Sequence, residues 1–352
     1  MEESDIKDSV ACILQEHLPR FIEISDHIGK NPELGSEEYK SSKLLQDELE
    51  KHGFQVESGL LGMETAFKAV YGGKPGGPKI VYLCEYDALP GVGHGCGHNI
   101  IGTAGMGAGI VVSKSLDAGE IWVIGTPAEE SRGPSGSSKI RMSSEGVFDD
   151  ADVVMMVHPA PIPPQVASVA TVFLAISKLE IRFKGRTAHG AADPHKGVNA
   201  LNAAVLTYMA IHANRQQLRR DANAVVHGVI TEGGLANNVI PDEAALEFGV
   251  RSSDDSYIPT LIEMVENSAK GAAIATGCEV EVEVVHSLKS NIRNRRLEQL
   301  FIDIFTELDV VVEDPNIAAA RTPSGSTDFS NVTHVVPAIH PIIGISDSMM
   351  PI

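Results

Sequence analysis

Apolar residues recur at helical spacing over residues 5–27, at Ile6, Val10, Ile13, Leu14, Leu18, Phe21 and Ile22. They predict an amphipathic helix that Pro19 kinks or interrupts. Asn31-Pro32-Glu33-Leu34-Gly35 is turn chemistry. Ser36 is placed to cap a second helix, with Leu44, Leu45 and Leu49 on its apolar face and Gly53 at its end. Residues 54–58 and 66–71 read as strands, with the glycine- and proline-rich residues 72–78 as a loop. The β-branched run 80–84 predicts a buried strand, and the small-residue segment 100–112 a buried helix. Further strands fall at 121–126 and 152–157, separated by a loop over 131–138 and a helix. Strands alternating with helices predict an α/β fold, a mostly parallel sheet with helices on both faces.

From about Val169 the rhythm changes. Strand 173–184, helix 197–218, strands 224–231 and 244–252, helix 257–276 and strand 279–285 follow in order. That β-α-β-β-α-β sequence predicts an inserted ferredoxin-like α+β domain over residues 171–286. Residues 1–170 and 287–352 then form one discontinuous domain, to which helix 294–308 and strand 335–345 return.

Composition narrows the function classes. The 352 residues carry a formal charge of −19, which argues against nucleic acid, whose phosphates are held by basic patches. The acidic start Met1-Glu2-Glu3-Ser4-Asp5 lacks the basic and apolar regions of a signal peptide. No uncharged apolar run reaches membrane-spanning length, so no membrane partner is expected. Cys12, Cys84, Cys96 and Cys278 are scattered, unlike a disulfide framework, and a cytosolic setting is expected.

Candidate chemistry lies at strand ends. After strand 80–84 come Asp87 and the loop Gly-Val-Gly-His-Gly-Cys-Gly-His-Asn, residues 91–99, which holds Cys96 and His98. After strand 121–126 come Glu129 and Glu130; after strand 152–157 comes His158. Ligands of α/β sheets bind at carboxyl ends of strands, and imidazole with thiolate is a zinc-type donor set. Paired glutamates suit a metallohydrolase. One stays ionised as a ligand, while the other takes a proton from metal-activated water and hands it to the leaving nitrogen. A zinc dehydrogenase is rejected, because residues 102–107 do not fit the dinucleotide fingerprint.

The chain resembles the di-zinc aminoacylase, carboxypeptidase and dipeptidase family of metallopeptidases (clan MH, family twenty). The matching pieces are Asn31-Pro32-Glu33-Leu34-Gly35, Asp87-Ala88-Leu89-Pro90, Gly95-Cys96-Gly97-His98-Asn99, Pro127-Ala128-Glu129-Glu130, Val157-His158, Thr187-Ala188-His189-Gly190, Asn238-Val239-Ile240-Pro241 and Gly325-Ser326-Thr327-Asp328-Phe329. Its Cys-Gly-His form is similar to the amidohydrolase branch and an animal offshoot that cleaves dipeptides with basic carboxy-terminal residues, such as β-alanyl-lysine.

The resemblance implies a zinc-exopeptidase-like fold and two divalent ions, zinc or manganese. It makes Cys96, His98, Glu130 and His158 ligands, Glu129 the general base and Asp87 the residue orienting a ligand. It makes His189 the oxyanion donor, and Asn238, Arg251, Gly325 and Ser326 the substrate-binding residues. It implies hydrolysis of dipeptides or N-acyl amino acids by metal-bound hydroxide, in a homodimer formed through the inserted domain. His227 reads as structural. The family's last ligand is a histidine beyond the final strand, followed by a long helix. The ending Asp347-Ser348-Met349-Met350-Pro351-Ile352 has neither, and neither His334 nor His340 matches that position. That ending resembles a truncated form and predicts a weakly held or absent second ion. It also raises an alternative role, dimerisation with a longer form to regulate it.

Overall fold

Small residues decide how the helix that follows the central strand sits. In a computed structural model describing residues 3–130, 132–321 and 325–346, this helix spans His98–Ser113. Gly102, Gly105 and Gly109 lie along one of its faces. A Cβ on Gly105 would come 2.3 Å from the Leu83 carbonyl oxygen and 2.8 Å from Cys84 Sγ; one on Gly102 would come 2.6 Å from the Glu85 carbonyl oxygen. The helix therefore rests directly on the backbone of the strand that carries the candidate site. The glycines of residues 102–107 are packing chemistry.

The elements run in order as α1 (Glu3–Lys30), α2 (Tyr39–Lys51), β1 (Gln55–Ser58), β2 (Phe67–Gly72), β3 (Lys74–Cys84), α3 (His98–Ser113), β4 (Ala118–Gly125), α4 (Ser138–Ser144), β5 (Val153–Met155), β6 (His158–Ala160) and β7 (Val166–Ser168). There follow β8 (Ala175–Lys184), β9 (Ala188–His189), α5 (Ala200–Asn214), β10 (Val225–Glu232), β11 (Val239–Ile240), β12 (Glu243–Ser252), α6 (Ile258–Thr276) and β13 (Glu279–Leu288). The last are α7 (Arg295–Glu307), β14 (Val311–Val312), α8 (Pro315–Ala320), α9 (Phe329–Val332), β15 (Ala338–Ile339) and β16 (Ile342–Gly344).

The chain divides into two compact units: Met1–Thr171, Ile292–Arg321 and Thr327–Ile352 form the first, and Val172–Asn291 with Thr322–Ser326 the second. In the first, a six-stranded sheet has the order β1-β2-β4-β3-β5-β15. The pairs β4/β3, β3/β5 and β5/β15 are parallel, while β1/β2 and β2/β4 are antiparallel. Strands β4, β3 and β5 are parallel neighbours in register, Cys84 opposite Gly125 and Tyr82 opposite Met155, so their carboxyl ends emerge along one edge. Val81, Leu83, Ile124, Val154, Phe148 and Phe329 are buried on one face, and Phe21, Ile24, Phe67, Met106 and Val123 belong to a second cluster. In the second unit the sheet order β10-β12-β8-β13 is antiparallel throughout, with α5 and α6 packed on it. This is the split βαβ arrangement.

The structure corrects several local readings. Helix α1 continues through Pro19. Phe21, Ile24 and Ile28 beyond the proline, and Val10 and Ile13 before it, pack on one core, which offsets the roughly 3 kcal/mol that an interior proline costs. Ser36 does not cap α2. It has φ 68°, donates to the Arg132 carbonyl and accepts from Ser135 N, tying it to the loop after β4. The cap comes from Glu33, whose carboxylate accepts from Lys40 N (3.1 Å), Ser41 N (2.8 Å) and Ser41 Oγ (2.8 Å), free donors of the helix start. Residues 74–78 belong to β3, because Gly77 lets the backbone pass where a Cβ would meet the Ala118 carbonyl at 2.1 Å. The strand expected over 152–157 ends at Met155, and His158 opens β6 of a separate sheet, order β14-β7-β16-β6, where it pairs with Ile342.

Gly105→Ala is expected to lose about 2 kcal/mol, since the added methyl meets strand backbone that cannot yield. Gly271→Ala, in α6 with nothing within 4 Å of the new methyl, is expected to gain up to about 1 kcal/mol from helix propensity. Thermal unfolding of both variants checks the contrast; a Gly105→Ala chain as stable as the parent contradicts this packing.

Candidate metal centre and active site

Two strand ends place the site. The loop after β3 carries Asp87, then Cys96 and His98 at the start of α3. Beyond β4, Thr126 N donates to the Cys84 carbonyl at 2.8 Å, so residues 127–130 leave the sheet level with residues 85–87. Ala128 adopts φ 56°, a left-handed conformation that the surroundings hold in place. Its N–H donates to Glu38 Oε1 (2.8 Å), and its carbonyl accepts from Ser137 N (2.7 Å). Glu38, also accepting from Thr65 Oγ1, is fully buried, and burial pushes its carboxyl up to about 7.

Asp87 connects the strand ends. It is 1% exposed; Oδ1 accepts from His98 Nδ1 at 2.8 Å and Oδ2 from Glu130 N at 3.1 Å. One carboxylate thus fixes the His98 tautomer, with Nε2 left for a ligand, and seats Glu130. One donor atom each from Cys96, His98 and Glu130 lies within 4.8 Å of the others. Soft sulfur, imidazole nitrogen and carboxylate oxygen around one point, with Asp87 behind the imidazole, fit a zinc-type ion. His158 stands outside that trio. Its Nδ1 donates to the Pro159 carbonyl at 2.7 Å, which leaves Nε2 as the acceptor, and its ring lies 5.6 Å from that of His340.

A second trio, which the sequence did not lead us to expect, consists of Glu85, Glu129 and Asp328, again with one oxygen each within 4.8 Å of the others. Neighbours Glu129 and Glu130 thus belong to different groups. Burial raises the Glu129 carboxyl, and the negative charges of Glu85 and Asp328 raise it further. Glu85 Oε1 lies 2.7 Å from Lys139 Nζ and Oε2 lies 3.5 Å from His98 Nε2. Burial alone would raise Glu85, but the Lys139 ammonium outweighs it and keeps this carboxylate ionised. His340 is buried between His158 and Phe329, and burial pushes its pKa down to about 3. The available signal for Glu85 was its i, i+2 relation to Asp87. Lys139, in a seven-residue helix, offered none.

Other candidates lie in the second unit. His189 and Asn238 come together where β9 pairs with β11: His189 faces Val239, and Gly190 N donates to the Asn238 carbonyl at 2.8 Å. His189 Nδ1 accepts from Ala191 N and Ala192 N, so the neutral ring carries its proton on exposed Nε2. Arg251 pairs with Ile176 near the far end of β12 from Glu243, about 27 Å along the strand. The Gly325 carbonyl accepts from Leu174 N at 2.9 Å, and the Ser326 hydroxyl is buried. The ending 347–352 lies outside the described residues.

A family model described as a peptidase dimerisation domain matches residues 175–277. The Xaa-Arg dipeptidase of Mus musculus is 34% identical over 96% of this chain and 79% of its own length. The Xaa-Arg dipeptidase of Homo sapiens is 32% identical over 97% of this chain and 80% of its own. The chain belongs to the M20 peptidase family. A dinuclear metal-binding M20 peptidase of Bacillus subtilis shares the fold, with TM-score 0.72 and 21% identity over 94% of this chain and 89% of that one. Membership makes the protein a hydrolase.

Both expected nitrogen and sulfur donors are protonated in the metal-free protein. Burial lowers His98, but the Asp87 hydrogen bond and the Glu85 charge overcome it and bring it to about 10. Burial, with Glu130 beside it, pushes the Cys96 thiol up to about 12. A metal ion taking both atoms must displace two protons. Zinc affinity is expected to rise about 100-fold per pH unit between pH 6 and 9, with close to two protons released in calorimetry across buffers of different ionisation enthalpy. Release near zero contradicts this donor pair.

Proposed function

We propose that the protein hydrolyses the amide bond of dipeptides or N-acyl amino acids, with Cys96, His98 and Glu130 holding a divalent ion and Glu129 as general base. The carrying observation is the split of adjacent glutamates between two groups, Glu130 beside Cys96 and His98 and Glu129 beside Glu85 and Asp328. Cys96, His98 and Glu130 would hold the ion, which when bound would supply Lewis acidity towards the amide carbonyl and lower the pKa of water towards about 7. The raised affinity of Glu129 for protons suits the other half of the reaction. Its carboxylate takes a proton from the attacking water and returns it to the leaving nitrogen. His189, with its proton on Nε2, donates to the carbonyl oxygen as negative charge develops there. The Nε2 lone pair of His158 would offer the ion a further ligand atom.

The two ends of the second unit bear on assembly. His189 and Asn238 lie on the β9/β11 ribbon, whereas Arg251 lies on β12, toward the end of that strand farther from Glu243. A homodimer through residues 175–277 lets one copy supply the histidine and asparagine while the other supplies the guanidinium for the substrate carboxylate. A basic carboxy-terminal residue is the proposed preference, supported by the chain's net acidity and its Xaa-Arg dipeptidase relative.

Glu129→Gln is the test. Metal content is expected to stay at the parent's value while turnover of β-alanyl-lysine and related dipeptides falls about 10²–10⁴-fold. A variant that turns over as fast as the parent overturns the assignment.

A further inference from the structure

Lys139 is the side chain around the site whose position is hardest to explain by packing alone. It is 0% exposed, on a short helix whose neighbouring Ser138 and Met142 are also buried. Its Nζ lies 2.6 Å from Asp328 Oδ1 and 2.7 Å from Glu85 Oε1, and its own N–H donates to Asp328 Oδ2 at 3.2 Å. Asp328 and Glu85 are themselves 0% and 1% exposed. A buried ammonium is tolerated only where charges and hydrogen bonds compensate its lost hydration, and here two carboxylates do so.

The place it fills has the composition of a cation site. Glu85, Glu129 and Asp328 present three carboxylate oxygens within 4.8 Å of one another, the hard oxygen set that manganese, magnesium or calcium takes. The positive charge bonded to two of the three comes from the chain itself. Through Glu85 the arrangement reaches the metal-binding trio, since the second Glu85 oxygen lies 3.5 Å from His98 Nε2. A connected series therefore runs from Asp328 through Lys139 and Glu85 to His98.

We propose that Lys139 is a built-in cation: its ammonium serves the Glu85/Glu129/Asp328 trio in place of a metal ion and holds Glu85 against the His98 edge of the metal-binding group. Lys139 is thus a positioning residue, touching neither substrate nor metal. It limits the ions the site accepts, because the trio has no vacancy while the ammonium is present. The part concerning His98 rests on the reading of Cys96, His98 and Glu130 as the metal-holding group.

The experiment counts manganese. Parent, Lys139→Met and Lys139→Met/Asp328→Asn chains are saturated with manganese(II), freed of excess ion and analysed for metal per folded chain, with thermal unfolding measured in manganese and in chelator. Lys139→Met is expected to bind one more manganese than the parent. Its unfolding midpoint is expected to drop in chelator and to recover when manganese is restored, by more than the parent's does. The double variant, with one carboxylate fewer, is expected to return to the parent's count. Equal counts in Lys139→Met and parent overturn the proposal. So does a Lys139→Met chain that stays unfolded in manganese, whether or not the double variant folds, because the ion then fails to stand in for the ammonium. A parent that binds no manganese or zinc counts against the function proposed above, and the difference between Lys139→Met and parent still decides this one.

Discussion

The Asp87 carboxylate is the constraint on which the rest of the site depends. Two strands end level with one another, and the loops that leave them would be free to diverge. Asp87 binds one loop through the imidazole of His98 and the other through the backbone of Glu130. Its burial makes both bonds strong, because a desolvated carboxylate has no water to compete for its lone pairs. The same contact turns His98 so that Nδ1 is spent on Asp87 and Nε2 is left for another partner. The glycine face of α3 completes the placement by letting the helix that begins at His98 lie on the β3 backbone.

Around that anchor the charges are arranged by opposing effects. Glu129 sits near two carboxylates and is pushed towards its neutral form, while the buried Glu85 is kept ionised by the ammonium next to it. Adjacent carboxylates can therefore differ in protonation without differing in chemistry. Glu38 shows a third outcome, a buried carboxyl raised by desolvation and used to hold Ala128 in its left-handed turn. Two acids that must take different parts in one reaction are separated by such differences in surroundings.

Much of this was legible in the sequence, and the limits have physical causes. The parallel neighbours β3, β4 and β5 were readable from apolar runs, so the convergence of Cys96, His98 and Glu130 followed from topology. The second unit was readable because its β-α-β-β-α-β rhythm survives small errors in each boundary. What escaped was long-range pairing. Glu33 caps a helix that Ser36 was placed to cap, since a side chain three residues earlier folds back onto its start. Lys139 and Asp328 are 189 residues apart, and no local pattern announces that they meet. His340 is drawn in by β15 pairing with β5 and β16 with β6, which returns the last strands beside His158.

The central question is whether sulfur, imidazole and carboxylate bind one ion. X-ray absorption at the zinc edge of the metal-loaded protein reads this directly. A sulfur neighbour at about 2.3 Å is expected together with nitrogen and oxygen neighbours at about 2.0–2.2 Å, the sulfur lost in Cys96→Ser. A spectrum with nitrogen and oxygen neighbours alone, unchanged in Cys96→Ser, would contradict it.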